Sequence, residues 1–271
     1  MSRLAAVAEE TLVQGDGLPR LEVRWPGSGP VAAVTTRPLN FGRDTESPAR
    51  EVAAAHRALR DWAWPRFHLI VGAAQVHGSR LFHADGADIP EAEPVGPASL
   101  RLTGYDGFMT STSGVLLTVG VADCAPVFIW APGSRALALL HAGWRGVAAG
   151  ILDRAIAAFS SSYGTGAEEL TVWWGPAIGP CCYPVGEEVV EAIRATTAGP
   201  DTEGWVRNEG SRPHVDLRAA LTRQAVTAGI APEAVGGSAR CTACDPVLHS
   251  YRRALGGGGR MLGVAGFSVV A

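Results

Sequence analysis

Apolar residues along this chain fall into short, nearly continuous runs more often than into helical stripes. Val31 to Thr36, His68 to Gln75, Gly114 to Val121, Val127 to Trp130, Ala136 to Leu140, Leu170 to Trp174 and Met261 to Val270 are predicted as strands. Several are apolar at successive positions, as strands buried on both faces are. Helical spacing appears after Trp144, where Val147, Ile151 and Ala155 form one stripe and Leu152, Ile156 and Phe159 an adjacent one. That pattern predicts a well-buried helix. Glu187 to Thr197 and Leu217 to Ala228 are the other predicted helices, the second with Asp216 at its N-cap and Gly229 just past its end. Ala84 to Gly104, Ala198 to Pro213 and Gly256 to Gly259 are predicted loops. None is biased enough to be a linker and no internal repeat is present, so residues 1–271 are expected to form one α/β or α+β domain of sheets covered by helices.

Composition changes this picture by exclusion. With 271 residues, 47% hydrophobic and 18% charged, the chain can bury a large core. A net charge of -3 lacks the basic footprint that phosphate backbones require, so nucleic acid is not an expected partner. No apolar run reaches membrane-spanning length, and the first thirty residues carry Glu9, Glu10, Asp16 and Glu22 in place of a signal peptide's apolar stretch. A membrane partner is therefore not expected. The chain contains no lysine, which removes Schiff-base chemistry and a P-loop lysine. Five cysteines without an export signal favour reduced thiols and a cytoplasmic location.

Candidate chemistry lies at the ends of three predicted strands. His77 follows the first in Gln75-Val76-His77-Gly78, Cys124 follows the second in Ala122-Asp123-Cys124, and His141 ends the third in His141-Ala142-Gly143-Trp144-Arg145-Gly146. Two imidazoles and a thiol suit a tetrahedral zinc whose fourth position stays open, the pattern of catalytic sites. Gly78 and Gly143 allow close backbone approach, and Gly146 near a helix start would leave amides for an anion. Any one of these residues taken alone is more often an ordinary packing residue.

The segments Gln75-Val76-His77-Gly78, Val121-Ala122-Asp123-Cys124-Ala125-Pro126, His141 to Gly146, Gly175-Pro176-Ala177-Ile178-Gly179-Pro180-Cys181-Cys182-Tyr183 and Ser250-Tyr251-Arg252-Arg253 occur in this order from about Thr35 to the C-terminus. Together they resemble the YfiH or laccase-domain family, also called the polyphenol oxidase or peptidoglycan-editing-factor family. The resemblance implies that His77, Cys124 and His141 bind zinc. It also implies an α+β fold of four layers, α/β/β/α, in which two packed mixed sheets are flanked by helices, as in the catalytic domains of cytotoxic necrotising factors. The implied activity is phosphorolysis of adenosine, inosine, guanosine and methylthioadenosine, with deamination of adenosine, so the chain would be both a glycosyl transferase and a hydrolase. Zinc lowers the pKa of its bound water from about 15.7 to about 7, which accounts for the deaminase half. Phosphorolysis needs a held phosphate, and Arg145 is the first candidate for that anion because a guanidinium fork matches phosphate geometry.

Other residues carry expectations of their own. Asp123 adjoins the metal cysteine and would accept a proton or orient a histidine, or else pair with an arginine. Asp106 in Tyr105-Asp106-Gly107 has the setting of an ordinary turn acid. Arg37 and Asn40 resemble the family's N-terminal Arg and Asn motif and are substrate-binding candidates, although the glycine pair and serine usual between them are missing here. Cys241-Thr242 matches the family's Cys-Thr pair near the metal pocket, which makes Cys241 a candidate beside the substrate. Cys241-Thr242-Ala243-Cys244 has redox or zinc spacing, but a lone Cys-x-x-Cys with no second pair at matching spacing is weak evidence for a structural zinc site. Cys244 is expected to be a core thiol, and adjacent Cys181 and Cys182 would face opposite ways on an extended strand. His249, Ser250 and Arg253 would line the same cleft.

Three rival functions share these residues. A copper-dependent polyphenol oxidase would need many imidazoles, and the chain has seven histidines with no His-x-His pair, although copper(II) would compete for the same donors. A cysteine hydrolase editing a peptidoglycan precursor would use Cys124 as nucleophile and His141 as base. A non-enzymatic nucleoside-binding protein would use the pocket without turnover. The sequence leaves monomer and homodimer open.

Overall fold

The computed structural model describes residues 8–43, 47–86, 97–197 and 204–270. In chain order the elements are β1 (Glu9–Val13), β2 (Arg20–Arg24), β3 (Val31–Thr35), α1 (Ala49–Ala63), β4 (Leu69–Ala74), β5 (Leu81–His83), β6 (Ala98–Thr103), β7 (Gly107–Thr110), β8 (Val115–Val121), β9 (Ala125–Ala131) and β10 (Ala136–Ala142). They continue with α2 (Trp144–Ala148), α3 (Ile151–Tyr163), β11 (Thr171–Trp174), α4 (Glu187–Arg194), β12 (Val206–Glu209), β13 (Arg212–Val215), α5 (Leu217–Thr227), β14 (Val235–Gly237) and β15 (Met261–Gly266).

Two mixed sheets carry the fold. One runs β1-β2-β3-β15-β8-β4-β6 and the other β14-β11-β9-β10-β7-β5, with β12 and β13 forming a separate ribbon. Parallel pairs join β4 to β6 and β8, β5 to β7 and β11 to β14; the remaining pairs of the two large sheets are antiparallel.

Alternation along the strands explains the layering, because successive side chains face opposite sides of a sheet. Phe128, Trp130, Leu137, Leu139 and Trp173 of the second sheet meet Val115, Leu117, Val119, Met261 and Ala265 of the first in one core. Their neighbours Val127, Ile129, Ala138, Leu140 and Val172 face outward onto α2, α3, α4 and α5 in a second core. Leu116, Leu262 and Val264 turn the other way, onto Leu59 and Trp62 of α1. Three cores between four layers are the α/β/β/α arrangement that the resemblance implied.

Several elements differ from the sequence pattern. The helix predicted after Trp144 is two helices, parted at Gly150, which takes a φ of +68°. The predicted loop at Ala84 to Gly104 contains β6, and that at Ala198 to Pro213 contains β12 and the start of β13; its positions 198–203, like 87–96, lie outside the described residues. Strand Met261 to Val270 ends at Gly266, and helix Glu187 to Thr197 at Arg194. In α5 the predicted cap is present, with the Asp216 carboxylate accepting the Arg218 and Ala219 amides. No helix among the described residues is long and apolar enough to cross a membrane.

Candidate metal centre

The chain leaves the first sheet for the second after β4, after β6 and after β8; the first of these crossings carries His77 and the last Cys124. His141 is the penultimate residue of β10, opposite Pro126 of β9. The three donor atoms, one from each side chain, all lie within 4.8 Å of one another. Both of these crossings bend sharply: His77 has a φ of +60° and Asp123 a φ of +87°, conformations that cost a residue with a Cβ and persist where surrounding contacts hold them.

At the His77 turn those contacts come from one carboxylate. Asp106, just before β7, is fully buried. It accepts the backbone N–H groups of Val76, His77 and Gly78 at 3.1, 2.9 and 2.8 Å, and its Oδ1 lies 2.9 Å from His141 Nδ1. One side chain therefore shapes the His77 turn and leaves the His141 Nε2 for the site, as carboxylates behind metal-bound histidines do. Burial would raise its pKa, but the His141 contact and the Gly78 and Val76 amides hold it below the usual carboxylate value. The expectation of an ordinary turn acid is corrected: Asp106 is a buried anchor.

Gln75 adds a second fixture, its side chain donating to Gly120 O at 3.0 Å and accepting Gly120 N–H at 2.7 Å, which ties the end of β4 to β8. Gly143 permits close approach, since a Cβ there would stand 2.7 Å from Cys124 Sγ and 3.3 Å from His77 Cδ2. Gly146 also serves packing: it is buried, and a Cβ would meet the carbonyl oxygens of Gly78 and His141 at 3.1 and 3.4 Å.

The electrostatics favour a thiolate beside an imidazolium when no ion intervenes. Burial pushes the Cys124 thiol up, but the charge and hydrogen bond of His141, with those of His77, bring it down to about 6. Burial lowers His141, but the Cys124 thiolate and the Asp106 bond outweigh it and raise the ring to about 9. A divalent soft cation fits this set of two ring nitrogens and one sulfur. His141 is buried and Cys124 half-buried while His77 is exposed, so the site is open on one side.

The remaining sequence candidates separate into two groups. Around the open side stand Arg145, Tyr183 and Arg252. Arg145 is exposed, its guanidinium 4.4 Å over the Trp144 ring, with no carboxylate partner among the described residues. Tyr183 is close enough to feel the charges of Cys124, Arg252, Asp123 and Arg145, and Arg252 lies 5.3 Å over its ring. Tyr183 carries no expectation from sequence, because an aromatic after a Cys-Cys pair holds no signal of which charges it will meet.

The second group is structural in its contacts. Asp123 orients no histidine: its Oδ1 accepts the Thr242 hydroxyl at 2.6 Å and its Oδ2 the Arg252 N–H at 2.7 Å. Nor does it pair with a guanidinium; the Arg252 contact is through the backbone. Asn40 accepts the Gly42 and Arg260 amides and donates to Ser47, so its carboxamide holds backbone where a substrate contact was expected. Arg253 donates to the carbonyls of Thr242, Asp245 and Leu248. It nevertheless borders a cavity of about 300 Å³ that Arg37, His249 and Ser250 also line.

The other four cysteines come together. Cys244 is an exposed residue, not a core thiol. Cys181 and Cys182 lie in a 3-10 turn, Pro180–Cys182, so the extended-strand argument that parted them does not hold. Their sulfurs are 3.7 and 3.4 Å from Cys244 Sγ. Cys241 Sγ belongs to the same cluster and accepts the Gly179 N–H at 3.2 Å.

Comparison with known proteins agrees with the architecture. The family described as "Multi-copper polyphenol oxidoreductase laccase" matches residues 27–268. A protein of Geobacillus stearothermophilus named purine nucleoside phosphorylase YlmD is 32% identical over 252 residues, covering 89% of this chain and 91% of its own. The crystal structure of YlmD from that organism superposes with a TM-score of 0.82 at 30% identity, over 96% of this chain and 99% of that one. The Bacillus licheniformis protein YfiH superposes with a TM-score of 0.77 at 26% identity, over 88% and 92% of the two chains.

Proposed function

Because the chain belongs to the multi-copper polyphenol oxidoreductase laccase family, several of whose relatives are named purine nucleoside phosphorylases, we propose that it is a zinc-dependent purine nucleoside phosphorylase, acting on adenosine, inosine, guanosine and methylthioadenosine, with adenosine deaminase activity. The observation that carries this reading is the convergence of His77, Cys124 and His141 into one set of donors, with an exposed arginine, Arg145, on the helix that follows His141. Zinc bound there supplies Lewis acidity and an activated water. Everything else is supplied by side chains of the chain.

Arg145 is the phosphate ligand, being exposed and free of carboxylates among the described residues. Arg252 lies over the Tyr183 ring, and both arginines act on the Tyr183 hydroxyl. Burial and the nearby Cys124 and Asp123 push the Tyr183 hydroxyl up to about 12, although the two arginines pull the other way. It therefore stays protonated at neutral pH and can donate to the departing base. Asp106 keeps His77 and His141 in place, and Asp123 fixes the Cys124 turn to Thr242 and Arg252. Arg37 and Arg253, which border the cavity of about 300 Å³, are the proposed contacts for the rest of the nucleoside.

Histidine placement weighs against a copper cluster. Among the described residues the only groups of three or more metal-type donors are this triad and the four cysteines, and His214 and His249 are bound to the carbonyls of Pro180 and Leu39. The cysteine-hydrolase reading keeps one specific observation in its favour, the thiolate–imidazolium pair of Cys124 and His141. Metal dependence separates the two. Phosphate-dependent release of hypoxanthine from inosine should disappear in His77→Ala, Cys124→Ala and His141→Ala and after chelation, and return to the chelated wild type with zinc. Full activity in the metal-free wild type would sink the proposal.

A further inference from the structure

The four cysteines outside the triad have no part in the proposed reaction, and their geometry is that of a ligand set. We propose that Cys181, Cys182, Cys241 and Cys244 form a second zinc centre, closed and structural, that fastens the turn after β11 to the turn at 241–244.

The four sulfurs all lie within 4.8 Å of one another, with separations of 3.7 Å from Cys181 to Cys244 and 3.4 Å from Cys182 to Cys244. A zinc with four Zn–S bonds of about 2.3 Å sets its sulfurs about 3.8 Å apart at the tetrahedral angle. A disulfide would bring a pair to about 2.05 Å, and a two-iron cluster would spread its ligand pairs farther than this cluster allows. An all-sulfur tetrahedral set selects zinc or iron over magnesium and calcium, and four protein ligands leave no open position for chemistry.

A second observation is the support around Cys241. Its sulfur accepts the Gly179 N–H at 3.2 Å, and its carbonyl accepts the Cys244 and Asp245 N–H groups at 3.1 and 2.9 Å, which closes the turn that carries Cys244. Binding forms four Zn–S bonds and releases the thiol protons to solvent, with no oxidant required. The resulting negative centre lies near Arg218, whose Nη2 is 3.3 Å from where a Gly179 Cβ would stand.

The consequence reaches the first site. The segments that this zinc would join already touch through the Ala177–Cys241 bridge and the Thr242 N–H to Ala177 O bond of 3.1 Å. Thr242 in turn holds Asp123, and Tyr183 follows Cys182. The centre buttresses the wall of the catalytic opening without entering it.

The test is metal analysis and native mass spectrometry of the full chain, purified with reductant and with zinc as the supplied metal. Wild type should carry two zinc ions, the Cys181→Ser/Cys244→Ser variant one and His77→Ala one. A single zinc in wild type, retained by the double variant and lost by His77→Ala, overturns the proposal, as does iron in its place. Should the double variant fail to fold, alkylation of the zinc-loaded wild type decides. Cys181 and Cys244, though exposed, should resist maleimide until a chelator is added. Immediate labelling, or a mass deficit from thiol hydrogens lost to a disulfide, overturns the proposal equally.

Discussion

Asp106 Oδ1 lies 2.9 Å from His141 Nδ1 and accepts the His77 backbone N–H at the same distance, so one buried oxygen positions two donors that are 64 residues apart in sequence (141 − 77). The Asp106→Asn variant keeps the size of the side chain but loses charge and acceptor capacity. Weakening of zinc binding by about 10- to 100-fold is expected, the usual effect of removing a carboxylate behind a metal-bound histidine. Competition with a chromophoric chelator measures it, and unchanged affinity would remove Asp106 from this role.

Proton release on zinc binding should come from the imidazole. Without metal the His141 ring, raised to about 9, is protonated at pH 7.5, and Cys124, lowered to about 6, is already a thiolate. Zinc needs the neutral ring and the thiolate, so this pair releases about one proton. Calorimetric titration of the first site in buffers of different ionisation enthalpy, using the Cys181→Ser/Cys244→Ser variant, reads that number directly. Release of two protons from the pair would mean that the thiol was protonated.

The same pair bears on the stability of the metal-free protein. His141 alone contributes stability that is complete below about 6.5 and lost as pH rises through about 9. Cys124 alone contributes stability that is complete above 9 and lost as pH falls through about 6. Between about pH 6.5 and 9 the two slopes oppose each other, so this pair leaves denaturant midpoints nearly flat. In Cys124→Ala the thiolate that does most to raise the ring is gone while burial still lowers it, so His141 should lose its proton at lower pH than in the wild type and its stabilisation, read from denaturant midpoints, should be lost at correspondingly lower pH.

Gly143→Ala tests close approach without a backbone penalty, because Gly143 has φ -80° and ψ 169°, which alanine adopts freely. The added methyl would stand 2.7 Å from Cys124 Sγ, so the sulfur must move. A loss of about 10²-fold in kcat/KM is expected for such a displacement, with little change in melting temperature. Equal losses of both would point to a packing role alone.

On the open side, Arg145→Ala should raise the KM for phosphate far more than that for inosine. Tyr183→Phe keeps the ring under Arg252 and removes only the hydroxyl; kcat should fall by about 10²-fold if that group protonates the leaving base. Steady-state kinetics with each substrate varied in turn distinguishes the two.

The parts of the fold visible in sequence are those whose burial is local in character. Strands β8, β9 and β10 announce themselves because both faces are covered and the runs are apolar throughout. Strands β1 and β2 carry Glu9, Glu10, Arg20, Glu22 and Arg24 and gave no such signal. Helix α1 buries only Ala55, Leu59, Trp62 and Ala63, with arginines among them. At the site, the three donors were legible through their flanking motifs. Asp106 was not, since its partners are 28 to 35 residues distant and a Tyr-Asp-Gly sequence looks the same in an exposed turn. The four-cysteine cluster escaped because its halves are separated by the ribbon and α5, and because a 3-10 turn rather than a strand carries Cys181 and Cys182.

His77 and Cys124 lie on two of the three crossings from the first sheet to the second, and the apolar layer between those sheets has no give of its own. Drawing these two donors apart therefore means prising the sandwich open. An ion seated there acts as a rivet through the middle of the molecule, and its departure on heating should coincide with the melting of both sheets instead of preceding it.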